Sequence, residues 1–294
     1  MGLAIILALI TFFGWGTGDL FTIIATRKIG ANLTTFWVFF FSFFLSLLII
    51  PFAPHNIDAI TLPMLTFNIF LGVLYVLGNV LVSEAFRLSS APLVGIIIQA
   101  FPAVVLVLSV FVYGDKITLI QTVFIAIIFL GVSLCTVDFK KILGSKKILD
   151  RGVMFALIAM VFLSIYFTFS RILIEKYNWF LPSFIATACF PIIYLFIKKR
   201  GERFAFPKDK RVIFAVFMVG LLIRAGDFAL NYGLSLPNAS SIVAPIASAA
   251  PILFVIMSYI IFKDPLTKQQ IYGIVTALLG IVLLTTSPDI SWLF

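Results

Sequence analysis

Several charged and polar residues lie inside long apolar stretches of this sequence, where they are costly unless they are used or neutralised. Trp15, Asp19, Thr22 and Thr26 follow one another at i, i+4, i+7 and i+11, which places them on one face of a helix. An ionisable group at such a position normally faces a cavity or a partner. Because Asp19 has no opposite charge on its own helix, we interpret it as a candidate for binding and releasing a proton.

Two arginines at comparable positions are candidates for binding an anionic group. Arg171 precedes Glu175 by four residues and Arg224 precedes Asp227 by three, so each pair either neutralises itself or offers its cation to a ligand. A guanidinium matches the two oxygens of a carboxylate with two parallel N–H groups. The same arginines leave open a purely structural role for Asp19, as the partner of Arg171 or Arg224.

Neutral polar residues complete the predicted site. Tyr75, Asn79, Gln99 and Asn231 donate and accept hydrogen bonds, although such groups also serve simply to hold helices together. The predicted substrate-binding residues are Trp15, Tyr75, Asn79, Gln99, Arg171, Arg224, Asp227 and Asn231, with Asp19 as the proton-coupling candidate.

These residues must be positioned by helices that cross a lipid bilayer. The sequence of 294 residues is 62% hydrophobic and only 11% charged, whereas a soluble domain has about 25% charged residues. Backbone groups in lipid must be satisfied within one segment, so each span is predicted to be helical. The ten predicted spans are 3–25, 33–52, 63–82, 92–111, 118–137, 152–174, 181–197, 212–232, 240–262 and 268–286. The sequence therefore predicts an all-α, multi-pass integral membrane protein.

The second half of the sequence repeats the first. Pro102 and Pro251, and likewise Asp115 and Asp264, are 149 positions apart, since 251 minus 102 and 264 minus 115 give the same number. The predicted units are a first repeat at 1–137, a basic connecting loop at 138–151, a second repeat at 152–286 and a short tail at 287–294. With five spans each, the two repeats are expected to run through the membrane in opposite directions, as inverted repeats.

The positive charge of the sequence is distributed asymmetrically. The formal net charge is +9, and nearly all lysines and arginines fall in connections after odd-numbered spans. By the positive-inside rule these connections face the cytoplasm and both termini face the other side. The basic runs are then expected to contact lipid headgroups, and no nucleic-acid partner is expected.

Short motifs lie at equivalent places in the two repeats. The first span contains FGWG at 13–16, the fourth opens with AP at 91–92, and the repeats carry GDKIT at 114–118 and KDPLT at 263–267. In this order the motifs resemble the drug/metabolite transporter superfamily, specifically its EamA-type exporters built from ten helices in two repeats. Such exporters are generally drawn with cytoplasmic termini, whereas the charge pattern here predicts the opposite orientation.

The resemblance implies a secondary transporter that exports a small metabolite through the cell membrane of a prokaryote. The polar residues favour an amino acid or related zwitterion as the substrate, with protons as the candidate coupling ion. Pro102, Pro245 and Pro251 interrupt predicted spans and are interpreted as hinges for alternating access. The nearest alternative is a flippase or exchanger of a lipid-linked or phosphorylated sugar, ahead of a channel or a membrane-embedded enzyme.

Metal and cofactor chemistry are not expected. The lone His55 and the separated Cys135 and Cys189 offer no cluster of metal ligands. The sequence also contains no His-Glu-X-X-His motif and no closely spaced pair of acids at helical spacing. The sequence therefore favours a carrier over an enzyme.

Overall fold

The computed structural model describes residues 2–53, 60–114, 118–136, 150–236, 243, 246–247, 250–264 and 266–285. In these ranges the regular structure is helical, and no strand occurs among them. The helices are α1 (Gly2–Ile29), α2 (Ala31–Ile49), α3 (Leu62–Leu88), α4 (Ala91–Ile98), α5 (Phe101–Tyr113), α6 (Leu119–Thr136), α7 (Arg151–Tyr177), α8 (Leu181–Ala188), α9 (Ile192–Lys199), α10 (Lys210–Ser235), α11 (Ala250–Phe262) and α12 (Lys268–Thr285). A short 3-10 turn, Ile50–Phe52, follows α2.

Apolar helices long enough to cross a bilayer make up most of the molecule. Seven stretches have the required length and hydropathy, namely Gly2–Ile29, Ala31–Phe52, Leu62–Leu88, Ala91–Tyr113, Arg151–Tyr177, Leu181–Lys199 and Lys210–Gly233. Three shorter apolar helices, Leu119–Leu134, Ile252–Phe262 and Lys268–Leu284, fall at the other predicted positions. The all-α, membrane-spanning class is thus confirmed, and the number of ten crossings stays a prediction.

Two of the predicted continuous spans are each divided into two helices. The break between α4 and α5 lies at Gln99 and Ala100. Pro102 has no N–H for the carbonyl of Ile98, and the chain tightens here, since the N–H of Ala100 bonds the Ile97 carbonyl at 3.3 Å. The break coincides with one predicted hinge position, although motion about it stays a prediction.

The second break was not predicted from the sequence. The span at 181–197 was expected to be one helix, but α8 ends at Ala188 and α9 begins at Ile192. Pro191 is the residue responsible, because it cannot donate a helical hydrogen bond and the turn around it uses tighter bonds, such as Tyr194 N–H to the Pro191 carbonyl at 3.0 Å. Of the other hinge candidates, Pro251 lies in the first turn of α11 and Pro245 lies outside the described residues.

Helix packing follows the repeat. An offset of 149 residues relates α1 to α7, α3 to α10 and α5 to α11. The contact of α1 with α10 has its counterpart in that of α7 with α3, and α1 with α11 corresponds to α7 with α5. The last helices of the two repeats, α6 and α12, pack against each other. The first helix of each repeat therefore packs mainly against helices of the other repeat.

Paired glycines allow α6 and α12 to approach closely. A Cβ added at Gly131 would overlap the backbone of Ala277, and one added at Gly280 would lie 2.7 Å from Ile128. Both contacts would be closer than van der Waals contact, so the helices would have to separate to accept either side chain. Small residues are what such close helix contacts in membranes require.

We expect Gly131→Ala to destabilise the protein by about 1–3 kcal/mol, because the new methyl group meets backbone atoms that cannot move independently. Thermal unfolding of the detergent-purified protein measures the effect. Gly2→Ala is the control, since its added Cβ would meet nothing within 4 Å. Equal melting temperatures for the two variants would contradict the close α6–α12 contact.

Ion pairs gather the connections after α1, α3, α9 and α11 at one end of the bundle, called here the basic end. Arg27 pairs with Asp264 at 2.7 Å and Lys28 with Asp209 at 2.7 Å. The Asp264 carboxylate also accepts the backbone N–H of Ala91 at 2.8 Å, which ties the start of α4 to this end. The hydrogen bond from Lys28 lowers the pKa of the Asp209 carboxyl. Connections that the sequence predicts to share one side of the membrane therefore meet in space.

Cysteine labelling in intact cells tests which side the basic end faces. With Cys135 and Cys189 replaced by alanine, we expect Lys208→Cys, at the basic end, to resist an impermeant maleimide. Thr61→Cys, at the start of α3 and the opposite end, is expected to react. Both positions are exposed. The reverse labelling pattern would place the basic end outside and both termini in the cytoplasm.

Candidate functional site

Two cavities lie within the helix bundle. The basic-end cavity has an empty volume of about 940 Å³, including its part open to solvent, and is lined by Asp19 and Thr22 of α1, downstream of Trp15 and towards Arg27. The far-end cavity has about 1510 Å³ by the same measure and is lined by the last turns of α7, including Arg171. Trp15 lines both cavities. The cavities therefore occupy opposite halves of the bundle and meet at its middle.

Six of the side chains that line the small space between the cavities form a layer, called here the partition. It consists of Trp15, Tyr75, Tyr166, Phe167, Arg224 and Asp227. The rings of Tyr75 and Tyr166 lie 4.4 Å apart between centroids, and those of Tyr166 and Phe167 lie 5.1 Å apart. The indole N–H of Trp15 donates to Asp227 Oδ1 at 2.9 Å. Aromatic rings and the interhelical hydrogen bond of Trp15 with Asp227 thus lie between the two halves.

Arg224 is the buried cation of the partition. Its side chain is 4% exposed, and its Nη1 lies 3.2 Å from Asp227 Oδ2. Within the described residues, its Nε–H has no hydrogen-bond partner. Burying a charged donor without an acceptor costs free energy that a bound anion would return. The guanidinium therefore has a free donor at the place where the cavities meet.

The position equivalent to Arg224 in the first repeat is Tyr75, 149 residues earlier. The Tyr75 hydroxyl lies next to the Arg224 guanidinium. Likewise, the position equivalent to Asp227 is Gly78, which has no side chain to charge. These positions are equivalent in the two repeats, but the charged side chains of the partition both come from the second repeat.

The structure divides the predicted binding residues between the two cavities. The basic-end cavity is lined by Trp15, Asp19, Tyr75, Asn79, Gln99, Arg224 and Asp227. The far-end cavity is lined by Trp15, Arg171 and Asn231. Asn231 also borders the partition, whereas Arg171 lies apart, paired with Glu175 at 3.1 Å. The sequence could not show this division, because all these residues occupy polar helix faces of the same kind.

Two of the structural roles that the sequence allows for the charged residues are present in the fold. The intrahelical pairs Arg171 with Glu175 and Arg224 with Asp227 both form. Asp19 is not the partner of either arginine, and within the described ranges it has no ion pair or hydrogen bond. Asp19 is thus an acid facing a cavity without a neutralising side chain.

The neutral residues are engaged to different degrees. The Asn79 amide donates to the Tyr75 carbonyl of its own helix at 2.8 Å, which leaves its carbonyl oxygen for other donors. Gln99 lies at the break after α4, and this break turns its side chain towards the basic-end cavity. A continuous helix would have kept the backbone groups at this point bonded to one another.

Some lining residues were missed from the sequence. Thr35 and Ser42 of α2 line the basic-end cavity and are seven residues apart, a helical spacing that the sequence displays. Thr35 Oγ1 lies 2.8 Å from Ser83 Oγ, a hydroxyl contact between α2 and α3. Tyr166, in contrast, has no periodic signal, because it lies off the polar face that contains Ser164 and Thr168.

Comparison with known proteins identifies the family. The sequence matches the EamA-like transporter family over residues 2–137 and again over 150–286. The chain therefore belongs to the EamA-like transporter family, within the drug/metabolite transporter superfamily, and is a multi-pass membrane transporter.

One protein sequence and one solved structure are similar to this chain. The chain is similar to an uncharacterized protein of Methanocaldococcus jannaschii, with 28% identity over 142 residues that cover 47% of this chain and 99% of the relative. That protein thus corresponds to one half of the present chain. A solved crystal structure with 15% identity superposes with a TM-score of 0.60 and covers 96% of both chains. At this identity the match shows a shared fold.

Proposed function

We propose that this protein is a secondary transporter that exports a small amino acid or related zwitterion by alternating access. The observation that supports this best is the buried Arg224 guanidinium, with its free Nε–H, at the point where two opposed cavities meet. Substrate sites of repeat-built transporters lie near the middle of the membrane at the repeat interface. Arg224, on α10, lines the space between the two cavities together with Trp15 of α1 and Tyr75 of α3, which supports a site of this kind.

In this proposal Arg224 binds the substrate carboxylate. Tyr75, Asn79 and Gln99 border the same cavity and supply neutral hydrogen bonds to the rest of the substrate. Apolar residues such as Phe39, Val82 and Leu163 form the remaining walls. They exclude water and strengthen the charge-assisted bonds. Arg171 and Asn231 would bind the substrate on its way through the far-end cavity.

Alternating access in this proposal uses ten spans arranged as inverted repeats. The exchange of helix partners between repeats supports such an arrangement, since an equivalent movement of either half is then possible. At the basic end α4 packs on α11, where the ring of Phe254 lies directly against Gly95. Pro102, Pro245 and Pro251 would be hinges that let these helices separate at one end and close at the other.

A liposome uptake screen tests the proposal. Purified protein is reconstituted, and amino acids, nucleosides and sugar phosphates are supplied with and without an imposed proton gradient. We expect uptake of at least one amino acid or related zwitterion, and a larger accumulation with the gradient. Uptake restricted to sugar phosphates would instead favour the exchanger of phosphorylated sugars. A prokaryotic cell membrane is the proposed location.

A further inference from the structure

We infer that Asp227 is a specificity-determining residue, which restricts the site to substrates carrying a positive charge beside their carboxylate. This inference rests on the proposed function and concerns the same cavity. It assigns Asp227 the substrate's ammonium group, whereas Arg224 takes the carboxylate. The two residues are three positions apart on α10 and lie 3.2 Å apart between charged atoms, the scale of the two charges of an amino acid.

The balance of charge in the basic-end cavity carries the argument. Its lining includes three side chains that can be charged near neutral pH, Asp19, Arg224 and Asp227, besides the phenol of Tyr75. The lining residues from α2, α4, α5 and α7 are neutral, among them Thr35, Ser42 and Leu163. Arg224 and Asp227 cancel each other, so the partition has no net charge of its own.

A substrate with only a carboxylate would disturb this balance. Binding it to Arg224 places two anions on one buried cation, and the extra charge is costly among apolar walls. A zwitterion brings equal charges of both signs, so each buried group keeps a partner. The preference arises from the desolvation of Asp227, not from added contact area.

Asp227 retains acceptor capacity for an ammonium group. Its Oδ1 accepts from Trp15 at 2.9 Å and its Oδ2 faces Arg224. A carboxylate offers about four lone-pair sites, so further donors fit. Trp15 holds the carboxylate in one orientation and acts as a positioning residue.

Paired probes test the inference. Proteoliposomes containing the purified protein are assayed for exchange of an amino acid and of the 2-oxo acid with the same carbon skeleton: alanine with pyruvate, leucine with 4-methyl-2-oxopentanoate, and phenylalanine with phenylpyruvate. For each pair that is transported, we expect the wild type to prefer the amino acid by at least about tenfold, or about 1.4 kcal/mol. Asp227→Asn keeps an oxygen for Trp15 but loses the charge, and we expect it to abolish this preference.

Matched variants complete the test. Asp227→Glu keeps the negative charge and is expected to keep the preference. Asp209→Asn makes the same chemical change at the exposed start of α10 and is expected to leave the preference unchanged. An unchanged ratio in folded Asp227→Asn, or a wild type that exchanges amino acids and 2-oxo acids equally, would overturn the inference and leave the proposed carboxylate site intact. If no carboxylate is exchanged at all, the proposed function itself is wrong. Where Asp227→Asn does not fold, equal exchange of the two probes by the wild type still overturns the inference.

Discussion

Replacing Arg224 by glutamine is expected to lower transport of carboxylate-bearing substrates by about a hundredfold, because two charge-assisted hydrogen bonds worth about 1.5–3 kcal/mol each are lost or weakened. Glutamine retains a neutral N–H donor, so some binding remains. Initial rates of uptake into proteoliposomes, at substrate concentrations below saturation, measure the loss.

This variant needs a control for its stability, because Arg224 forms an ion pair with Asp227. Arg224→Gln leaves the Asp227 carboxylate, which accepts from Trp15, without its cation, and an unpaired buried charge costs about 3–5 kcal/mol of stability. The double variant Arg224→Gln with Asp227→Asn removes both charges and is expected to recover most of the melting temperature without recovering transport. Transport by the folded double variant at the wild-type rate would reduce Arg224 to a structural ion pair.

Replacing Asp19 by asparagine is expected to abolish accumulation driven by a proton gradient while gradient-free exchange of substrate continues. Asp19 faces the basic-end cavity, and within the described ranges it has no ion-pair partner. A carboxylate without a counter-ion is costly in such surroundings. Uptake and release of a proton during transport would explain its presence there. Asparagine is close to the protonated side chain in shape and cannot ionise, so one step of the cycle is lost.

Two measurements on the same proteoliposomes test the role of Asp19. Counterflow without a gradient reports binding and movement, and accumulation after an imposed pH step reports coupling. Asp209→Asn is the control, because Asp209 is an exposed acid at the basic end, paired with Lys28. If Asp19→Asn still concentrates substrate after the pH step, Asp19 does not couple transport to protons.

The two acids at the core of the site differ only through their surroundings. Asp19 and Asp227 both lie in apolar spans, and the sequence marks both as costly. Among the described residues, Asp227 has an arginine and an indole N–H beside it, whereas Asp19 has neither. This contrast is why we assign Asp227 to the substrate and Asp19 to the proton.

Much of the architecture was predictable from the sequence by itself. Apolar length specifies helices in lipid, because the backbone there must be satisfied within each segment. The fixed offset between Pro102 and Pro251 revealed the repeat, and the intrahelical pair of Arg224 with Asp227 follows from a spacing of three residues. Such features are local or periodic, and a one-dimensional pattern records them.

The site itself was decided by tertiary structure. No spacing in the sequence brings Trp15 to Asp227, 212 residues away, places Tyr75 against Tyr166, or assigns Arg171 to a different cavity from Arg224. These relations depend on how α1, α3, α7 and α10 rotate about their axes when they pack, and side-chain volume at the contacts sets that rotation. The sequence therefore determined which residues were available for chemistry, and packing determined which of them meet.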